Sequence, residues 1–215
     1  MPLWGFNTIF EFMALEKDFI TGASGCVGHY VVDQLLENPK LELHLMVRDP
    51  KRLKFDYKSE SRVVVHIGNM EYIETLASVI SEMDYLVHVA TDWSNSDYAI
   101  KLNVEKTHEL FNACSDKCKR IIYFSTASIL GPDNKPNEDV EDYGTFYVKS
   151  KYQAYKSLSE CRLNDRIYTL FPTLVFGGDK SHPFSHISSG LVPNKKYLSF
   201  LRFFYLEGSF HFIHS

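Results

Sequence analysis

Apolar and polar positions follow two patterns that take turns along the chain. Short, nearly continuous apolar runs recur at residues 18–21, 41–47, 62–67, 84–90, 119–125 and 166–171. Runs of this length are what strands covered on both faces of a sheet require. Between them lie stretches with apolar residues at helical spacing. The first includes 31–36 and ends near Asn38-Pro39, because proline stops a helix at or before the residue preceding it. The second, 71–81, carries Ile73, Leu76, Ala77, Val79 and Ile80 on one face. The third, 98–116, and the fourth, 146–161, each predict one long helix. Residues 94–98 and 131–136 read as polar loops. Strands alternating with helices predict an α/β fold, a Rossmann-like doubly wound parallel sheet. No internal repeat or low-complexity run interrupts it.

Composition narrows the class. The chain has 215 residues, enough for one large domain or one domain with part of another. A hydrophobic share of 45% suits a globular core, and a net charge of −4 argues against a broad nucleic-acid surface. No apolar run is long enough to span a bilayer, and no basic region precedes an apolar core as in a secretory signal. The cysteines Cys26, Cys114, Cys118 and Cys161 show no CxxC pair, which predicts free thiols in a reducing cytoplasm. Cys114 and Cys118 are one helical turn apart, but a metal there would need two further ligands, so no metal site is expected.

Residues 1–12 stand apart. Trp4, Phe6, Ile9, Phe10 and Phe12 are apolar but precede the first strand, and the natural start of the fold lies at residue 13. They read as an appendage of uncertain role, or as a docking segment over an apolar patch.

The candidate chemistry begins at Thr21-Gly22-Ala23-Ser24-Gly25-Cys26-Val27-Gly28, between the first strand and the first helix. Three glycines at three-residue intervals permit a sharp turn and a close approach of backbone to a pyrophosphate. The amides that open the helix, and its dipole, favour the negative charge. Gly22, Ser24, Gly25, Cys26, Val27 and Gly28 are therefore the expected phosphate cradle of a dinucleotide. The second strand ends at Arg48-Asp49-Pro50, followed by Lys51 and Arg52. In such a fold this point meets the adenosine ribose, where arginine pairs with a 2′-phosphate and a carboxylate with a 2′-hydroxyl. Arg48 predicts NADP; the alternative is NAD, with Asp49 on the ribose. Asn69 and Met70 follow the third strand, where a polar side chain can reach the adenine edge. Ala90 and Thr91 close the fourth strand at the edge where ligands bind. His88, inside that strand, reads as a packed, hydrogen-bonded residue rather than a base.

Tyr147 and Lys151, at i and i+4, share one helical face after Ser125-Thr126 at the end of the fifth strand. A free tyrosine ionises near about 10, too high for acid–base work at neutral pH. A neighbouring ammonium should favour the phenolate and lower that value. A hydroxyl such as Thr126 can hold a carbonyl or alcohol oxygen beside the phenol. The lysine could also bond the nicotinamide ribose, which makes it both catalytic and cofactor-binding. Tyr152 and Lys156 repeat the spacing. The first pair is preferred because Ser150 precedes Lys151 and small Ala154 follows.

With these motifs in order, the chain resembles the extended short-chain dehydrogenase/reductase family, the NAD-dependent epimerase/dehydratase group, from about residue 17 onward. The resemblance also rests on Asn103-Val104-Glu105-Lys106-Thr107, Ser125-Thr126-Ala127-Ser128-Ile129-Leu130-Gly131 and Pro172-Thr173-Leu174-Val175-Phe176-Gly177. It implies Tyr147 as acid–base residue, Lys151 as its partner and Thr126 as the third member. Arg48 looks more like the NADP-using reductase branch than the sugar-epimerase branch. The leading expectation is an NADP-dependent oxidoreductase acting on a carbonyl or secondary alcohol. The alternatives are a nucleotide-sugar epimerase/dehydratase with bound NAD and a non-catalytic cofactor-binding scaffold. Partners would be a small-molecule substrate and, by resemblance, a second copy paired through the third and fourth helices. Phe171 stands where the family usually has arginine, and Asn69 where aspartate is common. The expected division is 13–176 as the dinucleotide-binding domain and 177–215 as a partial substrate lobe, with the chain stopping inside a family motif at 210–215. The loop 178–193 would shape substrate choice, and the aromatic run 200–205 would lack its cover.

Overall fold

The computed structural model describes residues 14–94, 97–191 and 212–214. The appendage at 1–12, the aromatic run at 200–205, and residues 95–96, 192–193, 210–211 and 215 lie outside the described residues.

Six parallel strands form one sheet: β1 (Glu16–Thr21), β2 (Leu41–Val47), β3 (Val63–Ile67), β4 (Tyr85–His88), β5 (Arg120–Phe124) and β6 (Ile167–Leu170). Their spatial order is β3-β2-β1-β4-β5-β6. The order reverses between β1 and β4, and in open sheets of this kind ligands bind in the crevice at that switch point. The continuous apolar runs are explained by the two cores they serve. Phe19 and Ile20, adjacent in β1, are both fully buried but belong to different clusters. Phe19 packs with Met46, Leu86, Ile121 and Tyr123 on one face. Ile20 packs with Leu43, Leu45, Val87 and Val32 on the other. A strand turns alternate side chains to opposite faces, so a sheet covered twice needs apolar residues at both parities.

Helix α1 (Cys26–Leu36) follows β1 and packs Val32 into the second cluster. Two expected helices take other forms. Residues 71–81 are not one helix: a 3₁₀ segment (Met70–Leu76) with a non-helical Tyr72 (φ −121°, ψ 38°) precedes one short turn, α2 (Ala77–Ile80). The Thr75 hydroxyl donates to the Tyr72 carbonyl at 2.7 Å, a local bond that competes with the helical ladder. Residues 98–116 form α3 (Asp97–Ile100), a π-helical stretch (Lys101–Glu105) and α4 (Lys106–Ala113). Helical structure therefore begins inside the expected 94–98 loop. Two further helices are α5 (Val140–Tyr143) and α6 (Phe146–Ser157). A 3₁₀ turn (Leu158–Glu160) replaces the expected last turn of α6. After β6, β7 (Leu174–Phe176) pairs in parallel with β8 (Phe212–His214), and α7 (His186–Leu191) lies between them in sequence. No described helix is long and apolar enough to cross a membrane.

Candidate active site

The glycine turn is built by close approach. Gly22 has φ +76°, and a Cβ there would lie 2.6 Å from the Ala90 backbone nitrogen. A Cβ on Gly28 would lie 2.1 Å from the Gly22 carbonyl oxygen. Only glycine lets the end of β4 and the first turn of α1 close on this turn. The Gly25 amide donates to the Gly22 carbonyl at 3.0 Å. Gly25 is also the N-cap, in extended conformation, and no side chain caps the helix there. The opening turn of α1 thus presents its amides and positive dipole end to the cavity. Beneath it, His88 Nδ1 meets Thr21 Oγ1 at 2.7 Å and Nε2 meets Thr107 Oγ1 at 3.0 Å. Burial, with Lys151 nearby, drives the His88 pKa well below its ordinary value. This neutral strut is the packed histidine that the sequence implied.

At the far end of β2, Arg48 is exposed and lines the same cavity as Arg52, Asn69 and Met70. Asp49 is turned elsewhere. Its Oδ1 accepts from the Lys51 amide at 3.0 Å and caps a 3₁₀ turn (Pro50–Arg52). Asn69 Oδ1 accepts from the Glu71 amide at 3.3 Å, so one end of that side chain serves as a cap. Ala90 and Thr91 border the cavity beside the glycine turn.

At the other end, Thr126 follows β5, and α6 brings in Tyr147 and Lys151. Thr145 caps α6 by accepting from the Val148 amide at 3.3 Å, which places Tyr147 in the first turn. Lys151 is 1% exposed, donates to the Phe124 carbonyl at 2.9 Å and lies 4.9 Å from the Tyr123 ring centroid. Burial pushes its pKa down to about 7. Burial pushes Tyr147 up to about 12, with the Thr126 hydroxyl pulling the other way. The expected lowering of the tyrosine by the lysine is thus reversed, because desolvation outweighs any cation effect and Lys151 is spent on a carbonyl. The competing pair has a structural use. Tyr152 is buried with Ile129 and Val140, while Lys156 pairs with Glu141 at 3.0 Å on the surface.

Two residues not assigned a site role on sequence join this end. Asn103, in the π-helical stretch, is 2% exposed. Its Nδ2 donates to the Asp92 carbonyl and to Ser150 Oγ, both at 2.9 Å, and its Oδ1 accepts from the Asp92 amide at 2.9 Å. Trp93 stacks on Tyr147, ring centroids 3.8 Å apart. Asn103 opens the 103–107 stretch that helps carry the family resemblance, but Trp93 had only its place, three residues past Ala90, to mark it.

One cavity of about 990 Å³ joins these parts, from Gly22–Gly28 and Arg48 to Thr126, Tyr147 and Lys151, with Ser24, Cys26 and Val27 also on its wall. The residues fit a nicotinamide dinucleotide. A Cβ at Gly22 or Gly28 would break the turn that borders the cavity, and Thr173 Oγ1, on the cavity wall, is buried with no partner among the described residues. None of the four cysteines forms a disulfide, and all are buried. No group of three or more His, Cys, Asp or Glu among the described residues could hold a metal ion.

No curated protein matches the chain. Solved structures do. UDP-glucuronic acid 4-epimerase from Bacillus cereus, with UDP-glucuronic acid and NAD, superposes with a TM-score of 0.65 at 19% identity, over 80% of this chain and 60% of that one. The Bordetella bronchiseptica enzyme WbmH, with NAD+, gives 0.65 at 21% identity over 86% and 63%. The protein gox2253 gives 0.64 at 27% identity over 78% and 54%. The chain therefore spans a little over half to three-fifths of the length of these structures, and shares their Rossmann-like fold. The model of the NAD-dependent epimerase/dehydratase family matches residues 19–184, which is most of the chain, and the chain belongs to that family.

Proposed function

We propose that the chain acts as a nucleotide-sugar epimerase/dehydratase, using bound NAD in reversible hydride transfer at one sugar carbon. The observation that carries this reading is the single cavity with a phosphate-type glycine turn at one end and Thr126, Tyr147 and Lys151 at the other. The family match, and the epimerase among the similar structures, favour it over the net reduction expected first from Arg48.

When bound, the cofactor takes up or supplies the hydride. Thr126 bonds the substrate oxygen and orients it. Tyr147, ionising near 12, is a protonated phenol at neutral pH and can give its proton to an oxygen that gains charge as its carbon is reduced. The reverse direction needs the phenolate. Lys151, titrating near 7, supplies a cation on the same helical face when it is protonated, and that cation favours the phenolate.

A specific observation favours a second reading, an NADP-dependent reductase of carbonyl compounds. Arg48 and Arg52 both line the cavity while Asp49 is occupied as a cap, an arrangement suited to a 2′-phosphate. Fluorescence titration with NADH and NADPH, beside Arg48→Glu, separates the two. Preference for NADH, indifferent to the substitution, with sugar turnover abolished by Tyr147→Phe, is the expected result. Tight NADPH binding that Arg48→Glu weakens would move the assignment to the reductase. Binding of neither would remove both.

A further inference from the structure

Three aromatic side chains from three separate segments meet at the cavity. Tyr147 comes from the first turn of α6, Trp93 from the connection after β4, and His186 from the start of α7. Trp93 lies face to face with Tyr147, centroids 3.8 Å apart and planes 17° from parallel. It also stacks on His186 at 5.4 Å and 13°. A centroid distance of 3.8 Å leaves no space for water between the rings. Yet Trp93 is 54% exposed, so core packing does not explain its position. The backbone beside it is clamped instead. Asn103 holds both the amide and the carbonyl of Asp92, and the same side chain bonds Ser150, whose hydroxyl donates to the Tyr147 carbonyl at 2.8 Å. One buried amide thus fixes the residue before Trp93 and the backbone of the residue that Trp93 covers.

We infer that Trp93 is a positioning residue for Tyr147: its indole fixes the plane of the phenol and shuts water from that ring face, with His186 as the second ring that holds the indole. The inference rests on the acid–base role proposed for Tyr147. Its consequence is chemical. A phenol shielded from water stays protonated to higher pH, and burial is the leading cause that pushes Tyr147 up. Trp93 therefore sets the acid strength of the group, while the ring edge bearing the hydroxyl remains beside Thr126 for the substrate.

Nitration of the full chain by tetranitromethane, read tyrosine by tyrosine by peptide mass spectrometry, tests this without cofactor or turnover. The reagent attacks accessible phenolate. Tyr143, 88% exposed, is the internal reference, and Tyr123, fully buried, reports any loosening of the core. Trp93→Ala should raise the Tyr147-to-Tyr143 ratio about tenfold, the gain in phenolate fraction for each unit by which the pKa falls. Trp93→Phe, which keeps a flat ring, should stay within about twofold of the parent chain on the same scale. Tyr123 should remain unmodified throughout. An unchanged ratio in Trp93→Ala overturns the inference. So does a Trp93→Phe chain that reacts like Trp93→Ala, or nitration of Tyr123 rising in step with Tyr147. Failure of the cofactor titration above would discard the proposed reaction and leave the nitration result standing, so the two failures are distinguishable.

Discussion

Two buried ionisable groups, Lys151 and Asp18, give the residue scale its clearest tests. Lys151 holds one carbonyl and is otherwise desolvated, which brings its pKa down to about 7. Between about pH 7 and its unfolded value the folded state holds fewer protons than the unfolded one, so stability rises with pH across that window. Lys151→Met should remove the slope and stabilise the chain at pH 6 by roughly 1–3 kcal/mol, with a smaller gain at pH 10. Thermal melting at the two pH values decides it, and a loss of stability at both would contradict the desolvation argument. Asp18, in the first half of β1, is 3% exposed, and its Oδ1 has no partner among the described residues. Burial first, then Glu16 and Asp84, raise its pKa to about 7 against the pull of Lys119. Its contribution is fully present below the unfolded value and is lost as pH rises through 7. Asp18→Asn should therefore stabilise at pH 8 by on the order of 1–3 kcal/mol and by less than half as much at pH 5. Equal urea midpoint shifts at both pH values would show that the carboxylate is not the cause.

At the scale of elements, the β1–turn–α1 unit depends on contacts that cannot give. In Gly28→Ala the new carbon would meet the Gly22 carbonyl and the Ala23 Cα, both backbone. The helix would have to move off the turn, and dinucleotide affinity should fall by more than about tenfold, or about 1.4 kcal/mol. Titration of the variant with NADH checks this; wild-type affinity would mean that the turn is not the phosphate site. The π-helical stretch has a comparable dependence. Asn103→Leu would leave the Asp92 amide and the Ser150 hydroxyl without this partner, at a cost of roughly 2–4 kcal/mol in urea unfolding. The same stretch shows where periodicity misleads. Residues 98–116 have the apolar spacing of one helix, but the widened turn at Asn103 serves a loop and a second helix that the local pattern does not contain.

Across the whole molecule, the segment after β7 returns to α1. His182 stacks on Tyr30 at 4.2 Å, and its ring nitrogens meet Asp33 at 2.7 Å and Asp179 at 3.0 Å. Its carbonyl accepts from Lys54 Nζ at 3.1 Å, tying the same segment to the chain after β2. The bond to Asp33, and then Asp179, raise the His182 pKa. A raised histidine contributes stability that is present below about pH 6.5 and lost as pH rises through the folded value. Hydrogen exchange of residues 178–186, corrected for intrinsic rates, should be slower at pH 6 than at pH 9. His182→Gln should erase the difference; its persistence would place the origin elsewhere.

The strand sequence, the doubly wound class, the glycine turn and the Tyr147–Lys151 spacing were all legible in the chain itself, because each is a relation between residues a few positions apart. Period-two and period-3.6 burial follow from backbone geometry, and a turn that must approach a phosphate needs glycine wherever it occurs. What tertiary structure decided is of another kind. Asp49 and Arg48 are neighbours in sequence, yet only the 3₁₀ cap shows which of them is left to the cavity. Lys151 was expected to lower Tyr147, and only its burial against Phe124 shows desolvation winning. Trp93 had no neighbour in sequence to give it a role, and it acquires one where the end of β4, the start of α6 and the start of α7 converge. Desolvation and stacking are set by residues tens of positions apart, and no local pattern carries that information.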